Sequence, residues 1–332
     1  MMQFGLIGIG AGAAAALLFA SVTSGSWLAV ALFYLAPLPI MIAGLGWSHW
    51  SALVAAVTAA LALALAFSGI FFFAFLAGAG LPAWWLCYLT MLARPTGAGP
   101  ATAAGTAAGP AALEWYPPGR LVVWAAVLAA LVVVIGIANF GLDAESFRTG
   151  LRTALLQMLK VETGAPPDQP LSLPGVTNAR RLVDFLVEII PPAAAGIATV
   201  TNLFNLWLAA RVVRFSGRLS RPWPDLSAMT FPPMVSAALA VAVALNFLGG
   251  LVGIVAGVVS STLFIAYGVL GFAVLHDITR GIGSRSFIIG SVYAAVLVFG
   301  WPVLLLCLLG LADTAIGLRA RVARKRGPPT VT

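Results

Sequence analysis

The sequence predicts an all-α, polytopic transmembrane helix bundle of eight or nine spans with an amphipathic helical insert. Three observations carry that reading. Of 332 residues, 61% are apolar and only 8% charged, whereas soluble domains carry about 25% charged residues. Met1 to Ala93 holds no charged residue, and Leu226 to Leu275 is a second charge-free stretch. Mean hydropathy is +1.04. A chain of this composition cannot cover a globular surface, which excludes a water-soluble enzyme, a nucleic-acid-binding domain and a disordered tail.

A membrane-crossing helix needs about 20 mainly apolar residues. Candidate spans are Phe4–Val22, Ser26–Leu45, Trp50–Phe67, Ile70–Leu92, Leu121–Phe140, Ile189–Val212, Pro233–Leu251, Ile254–Leu275 and Phe287–Leu309. Only Ser68-Gly69 separates the third from the fourth, and Pro82 is expected to kink the fourth. Residues 1–94 therefore form an N-terminal bundle of about four spans, and 120–141 a single span. Residues 189–312 form a C-terminal bundle of about four spans, followed by a basic tail over 313–332. Residues 95–119 are rich in Gly, Ala, Thr and Pro and predict a flexible linker. Residues 142–188 are different. Phe147, Leu151, Leu155, Met158 and Leu159 recur at helical spacing among Arg148, Arg152 and Lys160, which predicts an amphipathic helix on the membrane or against the bundle. After a Pro-rich turn, Leu182, Phe185, Leu186 and Ile189 predict a second amphipathic turn, and Pro191-Pro192 restarts the chain into the sixth span.

The net charge of +8 sits beside apolar segments. Positive-inside topology and anionic lipid headgroups explain it more simply than nucleic acid does. Two basic patches are expected to be cytoplasmic: Arg211, Arg214, Arg218 and Arg221, and the tail's Arg319, Arg321, Arg324, Lys325 and Arg326. Three candidate spans between them would place them on opposite sides, so the parity of that region stays open.

Gly8-Ile-Gly10-Ala-Gly12 imitates a dinucleotide fingerprint but lacks the strand and the later acidic residue that motif requires. Its physical meaning is a small-residue stripe, Gly8, Gly12, Ala16 and Ala20, against which a helix can dock closely. That helix belongs to this chain or to a partner. Thr199, Asn202 and Asn205 share one face of the sixth span, with Asn139 and Asn246 in neighbouring spans. Amides in hydrocarbon are costly unless satisfied, so the five either line a polar pocket for a small solute or hydrogen-bond adjacent helices. His276-Asp277 and Asp313 lie at membrane edges, where structural pairing is the default. Cys87 and Cys307 lack partners at metal-ligand or redox spacing, and no catalytic residue, cofactor site or metal site is expected.

Leu35-Ala-Pro-Leu-Pro-Ile40 followed by Gly44-Leu-Gly-Trp47, Leu81-Pro-Ala-Trp-Trp-Leu86 running to Arg94, and Leu309-Gly-Leu-Ala-Asp313 leading to Arg319 resemble the YybS-like family. That is a bacterial group of predicted polytopic membrane proteins carrying a domain of unknown function, itself distantly similar to the substrate-binding membrane subunits of energy-coupling-factor transporters. The resemblance implies a multi-pass protein of the bacterial inner membrane and no catalytic residues. It further implies a solute-binding or transport-associated subunit. With no phosphate-binding loop in the chain, ATP energy would come from a transmembrane coupling subunit. The alternative is a non-transporting scaffold or assembly factor. Lipid, anionic lipid in particular, a small solute and the coupling subunit are the partners expected.

Overall fold

The computed structural model describes residues 2–96, 113–164, 166 and 178–326. It is an all-α bundle of fourteen helices with one short two-stranded ladder among the described residues. Seven helical segments are long and apolar enough to cross a membrane, or eight when one bent pair counts as a span. The chain divides into two compact units, 1–125 with 200–231, and 126–199 with 232–332.

The first unit is built on α1 (Met2–Ala20), α2 (Trp27–Tyr34), α3 (Pro37–Gly46), α4 (His49–Ala66), α5 (Gly69–Phe75) and α6 (Leu81–Thr90). Helices α2 and α3 together make the second span, Trp27–Gly46. Ser26 and Ser48 cap α2 and α4 by accepting from Ala29 N and Trp50 N. Ser68-Gly69 ends α4 where the sequence placed that boundary. The fourth span is interrupted, as Pro82 required, by a wide helical turn over Leu76–Gly80, with the proline in the first turn of α6 where its missing N–H costs nothing.

Helix α1 lies along α4. A side chain at Gly8 would meet Val54 Cγ1 at 2.7 Å, and one at Gly12 would meet Ala55 O at 2.6 Å and Thr58 Cβ at 2.7 Å. Ala16 is buried on the same stripe, with Ala20 closing α1. This overturns the stripe as a docking surface for an external helix: α4 of the same chain occupies it at backbone contact. Gly12→Leu with Ala16→Leu is therefore expected to destabilise this unit by roughly 3 kcal/mol, since over-packing against backbone has no flexible side chain to displace. Thermal unfolding in detergent checks it, an unchanged midpoint being the contrary result.

The expected flexible linker is ordered at both ends. Ala93–Pro95 (β1) pairs antiparallel with Leu113–Trp115 (β2), Arg94 facing Glu114 in register. Pro118 already begins α7 (Pro118–Phe140). Residues 97–112 of that linker lie outside the described residues.

In the second unit, α8 (Ala144–Thr163) is capped by Asp143, which accepts from Ser146 N at 2.9 Å, and ends at Gly164 in the left-handed conformation. Hydrogen bonds from Ser146 hold the Asp143 carboxyl below its usual range. Phe147 is buried with Ala130, Ile137, Ala195 and Val258, so the first turns of this amphipathic helix pack on the bundle, while Met158 and Val161 stay exposed. The second amphipathic turn is not separate. It is the start of α9 (Ala179–Phe215), 37 residues long, which carries Pro191-Pro192 inside it without restarting. Arg148 pairs with Glu188 at 2.7 Å and Arg152 with Asp184 at 2.6 Å. The register steps forward on one helix and back on the other, so α8 and the first part of α9 run antiparallel.

The last helices are α10 (Met234–Asn246), α11 (Gly250–Ile278), α12 (Arg285–Phe299), α13 (Val303–Ile316) and α14 (Leu318–Arg326). Two expected spans are shorter than their hydropathy. The seventh stops at Asn246 because Gly249 and Gly250, at φ +69° and +60°, turn the chain into α11. The ninth is two helices, split where Gly300 at φ +69° precedes Pro302. Glycine supplies the left-handed conformation that other residues avoid. Helices α13 and α14 meet at 76°. Gly317 ends α13 in the left-handed conformation. Across the bend Arg319 donates to Asp313 through its backbone N and its guanidinium, at 2.7 to 2.9 Å.

Candidate functional site

The candidate polar residues serve two purposes. Thr199 Oγ1 donates to Ala195 O within its own helix. Asn205, fully buried, donates to Tyr34 O at 2.9 Å and Thr201 O at 2.8 Å, which ties α9 to the end of α2. Asn202 is buried beside it in sequence. Asn139 Nδ2 donates to Ile135 O on an exposed face. These are helix-to-helix and helix-to-self bonds of the kind amide groups make in hydrocarbon, while the buried Asn205 Oδ1 has no partner.

Asn246 lines a cavity. A cleft of about 530 Å³ opens in the second unit among α8, α9, the α10–α11 turn, α11 and α13. That volume is within the usual range for small-molecule sites, about 300 to 1,000 Å³. Arg148 and Glu188 stand on one side. Gly249, Gly250, Gly253 and Gly257 form a smooth wall over which Asn246 lies, its Oδ1 3.3 Å from where a Gly257 side chain would begin. Phe264, Ile265 and Leu304 supply apolar surface. Ser260 lines the cavity too; it is only 6% exposed, and its hydroxyl has no hydrogen-bond partner. Its neighbour Ser261 donates to Pro192 O at 2.7 Å.

Prolines shape one wall. Pro191 and Pro192 have no N–H, so the Glu188 carbonyl has no helical donor three or four residues on, and the Val187 carbonyl lacks the one four residues on. Opposite them α11 begins without a side-chain cap. Gly253 N bonds Gly249 O, but the N–H groups of Gly250, Leu251 and Val252 precede the first turn's acceptors. Of the residues that carry these groups, Val187, Glu188 and Gly250 line the cavity. The sequence signals for this were Pro191-Pro192 and the glycines from Gly249 to Gly257, in view but not linked to one another.

The basic residues divide likewise. Arg211 lies over Trp207 and Trp223, Arg214 over Trp223, and Arg218 over Trp47, with guanidinium-to-ring distances of 4.7 to 5.8 Å. These remain an outward basic surface backed by tryptophan. Arg221 does not belong to it. It is 6% exposed and donates to Thr90 O at 3.0 Å and Tyr116 O at 2.8 Å. Burial pulls its guanidinium pKa down, yet an arginine stays charged. In the tail, Arg319 belongs to the Asp313 bend, and Arg321 Nε and Arg324 Nε donate to Ile316 O and Ala320 O. Lys325 is exposed and Arg326 ends α14. His276 Nδ1 lies 2.8 Å from Phe272 O within α11, and Asp277 pairs at 3.5 Å with Arg280 in the turn that follows that helix.

Residues 13–314 match the family DUF2232, described as a predicted membrane protein. No curated protein and no solved structure matches the chain. With its multi-pass helical architecture and a family match over most of its length, this chain belongs to the DUF2232 family of predicted membrane proteins.

Proposed function

We propose that this protein is a solute-binding, transport-associated subunit of a bacterial inner membrane, without an ATPase of its own, and that the cavity of the second unit is its binding site. The observation that carries this is the cavity itself, about 530 Å³ and so within the range of small-molecule sites, where Arg148, Glu188 and Asn246 stand beside Phe264, Ile265 and Leu304. A coupling subunit remains part of this reading, docked elsewhere than on the α1 stripe. The exposed Arg211, Arg214 and Arg218, and separately the basic helix α14, are read as surfaces for anionic headgroups.

The test is native mass spectrometry of the detergent-purified protein beside Leu304→Trp, which enlarges a cavity-wall side chain that is 56% exposed. The wild type is expected to carry a small molecule at one copy per chain, with occupancy reduced about tenfold or more in the variant, equivalent to about 1.4 kcal/mol of binding. Equal occupancy in both proteins contradicts the proposal.

A further inference from the structure

The sixth apolar span ends in a group of arginines. Arg211 and Arg214 stand one turn apart at the end of α9, and Arg218 follows just beyond it. Like charges one helical turn apart repel. All three are exposed. Among the described residues their guanidiniums meet tryptophan rings and no acceptor: Trp207 and Trp223 for Arg211, Trp223 for Arg214 and Trp47 for Arg218. Asp225, the acidic residue of the same loop, accepts from Ser227 N at 3.0 Å and Ser227 Oγ at 2.6 Å. A ring attracts a cation but has no lone pair for its N–H groups. The three guanidiniums are thus held in place with their donors open.

Two apolar spans end together here. Gly46 closes the second span, Trp47 follows it at once, and Arg218 lies 4.7 Å from the centre of that ring. Tryptophan beside arginine at the end of a span marks the headgroup level of a bilayer. Two apolar side chains stand between the arginines: Val212 is exposed, and Phe215 is 97% exposed. Arg211, Val212, Arg214 and Phe215 line one open groove of about 520 Å³. A soluble anion would meet the arginines and leave Phe215 in water, whereas an uncharged apolar ligand would leave the guanidiniums unpaired. An occupant with an anionic head and an acyl chain meets all four. We infer that the end of α9 is a discrete site for one anionic phospholipid, its phosphate held by Arg211 and Arg214 and an acyl chain along Val212 and Phe215. Guanidiniums grip phosphate through paired N–H donors, which gives direction as well as charge. This rests on the reading of these arginines as a surface for anionic headgroups; a diffuse attraction becomes one lipid held at named side chains.

The test presents the full chain in detergent with equal amounts of phosphatidylglycerol and phosphatidylcholine and counts retained lipid by native mass spectrometry. Phosphatidylglycerol is expected at one copy per chain, preferred about tenfold or more. Arg211→Gln with Arg214→Gln should remove that preference. Arg211→Lys with Arg214→Lys keeps the charge without the paired donors and should recover only a small part of it. Arg180→Gln with Arg181→Gln takes the same charge from the exposed start of α9 and should leave the preference intact. Phe215→Ser should weaken retention of phosphatidylglycerol. Melting temperatures without added lipid check that each variant folds. Full rescue by lysine, unchanged retention in Phe215→Ser, or equal loss in the Arg180 and Arg181 variant overturns the site and leaves a diffuse basic surface. Displacement of the lipid by inorganic phosphate overturns it in favour of a soluble anion. Equal retention of the two lipids by the wild type removes the headgroup reading itself together with the site.

Discussion

Gly271→Val is expected to destabilise the second unit by at least about 3 kcal/mol, beyond the usual cost of an over-packed side chain because the obstacle is main chain. A side chain at Gly271 would run into the Leu306 carbonyl, and one at Gly310 would come within 2.5 Å of Tyr267 O. The two glycines face each other across α11 and α13, with Cys307 Sγ donating to Phe264 O at 2.9 Å one turn away. Small residues let helix backbones approach where lipid offers no hydrophobic drive. Gly136→Ala is the control, since nothing lies within 4 Å of that position. Intrinsic-fluorescence melting in detergent should show a large drop for Gly271→Val, an intermediate one for Gly271→Ala and almost none for Gly136→Ala. A Gly271→Val midpoint equal to the control would show that the two helices part without cost.

The second large effect is expected from Arg221→Ala, at about 3 kcal/mol or more. Hydrogen bonds from a charged donor contribute about 1.5–3 kcal/mol each, and their loss leaves buried acceptors unmet. Arg221 holds Thr90 O at the end of α6 and Tyr116 O just past β2, two places far apart in sequence. Arg221→Lys should recover less than half, because an ammonium lacks the fork that reaches two carbonyls. Melting of the three proteins under one condition decides it. A fully rescued lysine variant would mean that charge alone matters at this position.

The spans were legible because hydropathy and length are local properties. Ser68-Gly69 and Pro82 interrupted helices where local chemistry said they would. What the sequence could not supply was the partner of each surface. Gly8 and Gly12 form the same stripe whether α4 or a foreign helix lies on it, and only the contact with Ser51 to Thr58 decides. Arg221 looks like its exposed neighbours in sequence. Its burial depends on carbonyls 131 and 105 residues away. Gly300 and Pro302 were visible, but an apolar run on both sides concealed the break at the hydropathy level. Asn246 stands at the cavity because α10 ends there, a consequence of Gly249 and Gly250 rather than of the amide itself.

The short helices of the second unit have a consequence for the lipid around them. Helices α10, α12 and α13 contain 13, 15 and 14 residues, so at 1.5 Å per residue they are about 20 to 23 Å long. Hydrocarbon of ordinary depth is about 30 Å thick. Such a mismatch costs fractions of a kcal/mol per ångström and is relieved by local thinning or by snorkelling side chains. A bilayer crossed by these helices would be drawn thinner beside them than around the 29-residue α11. Acyl-chain length then becomes a variable of the protein's own stability, with shorter chains lowering the elastic strain that longer chains impose.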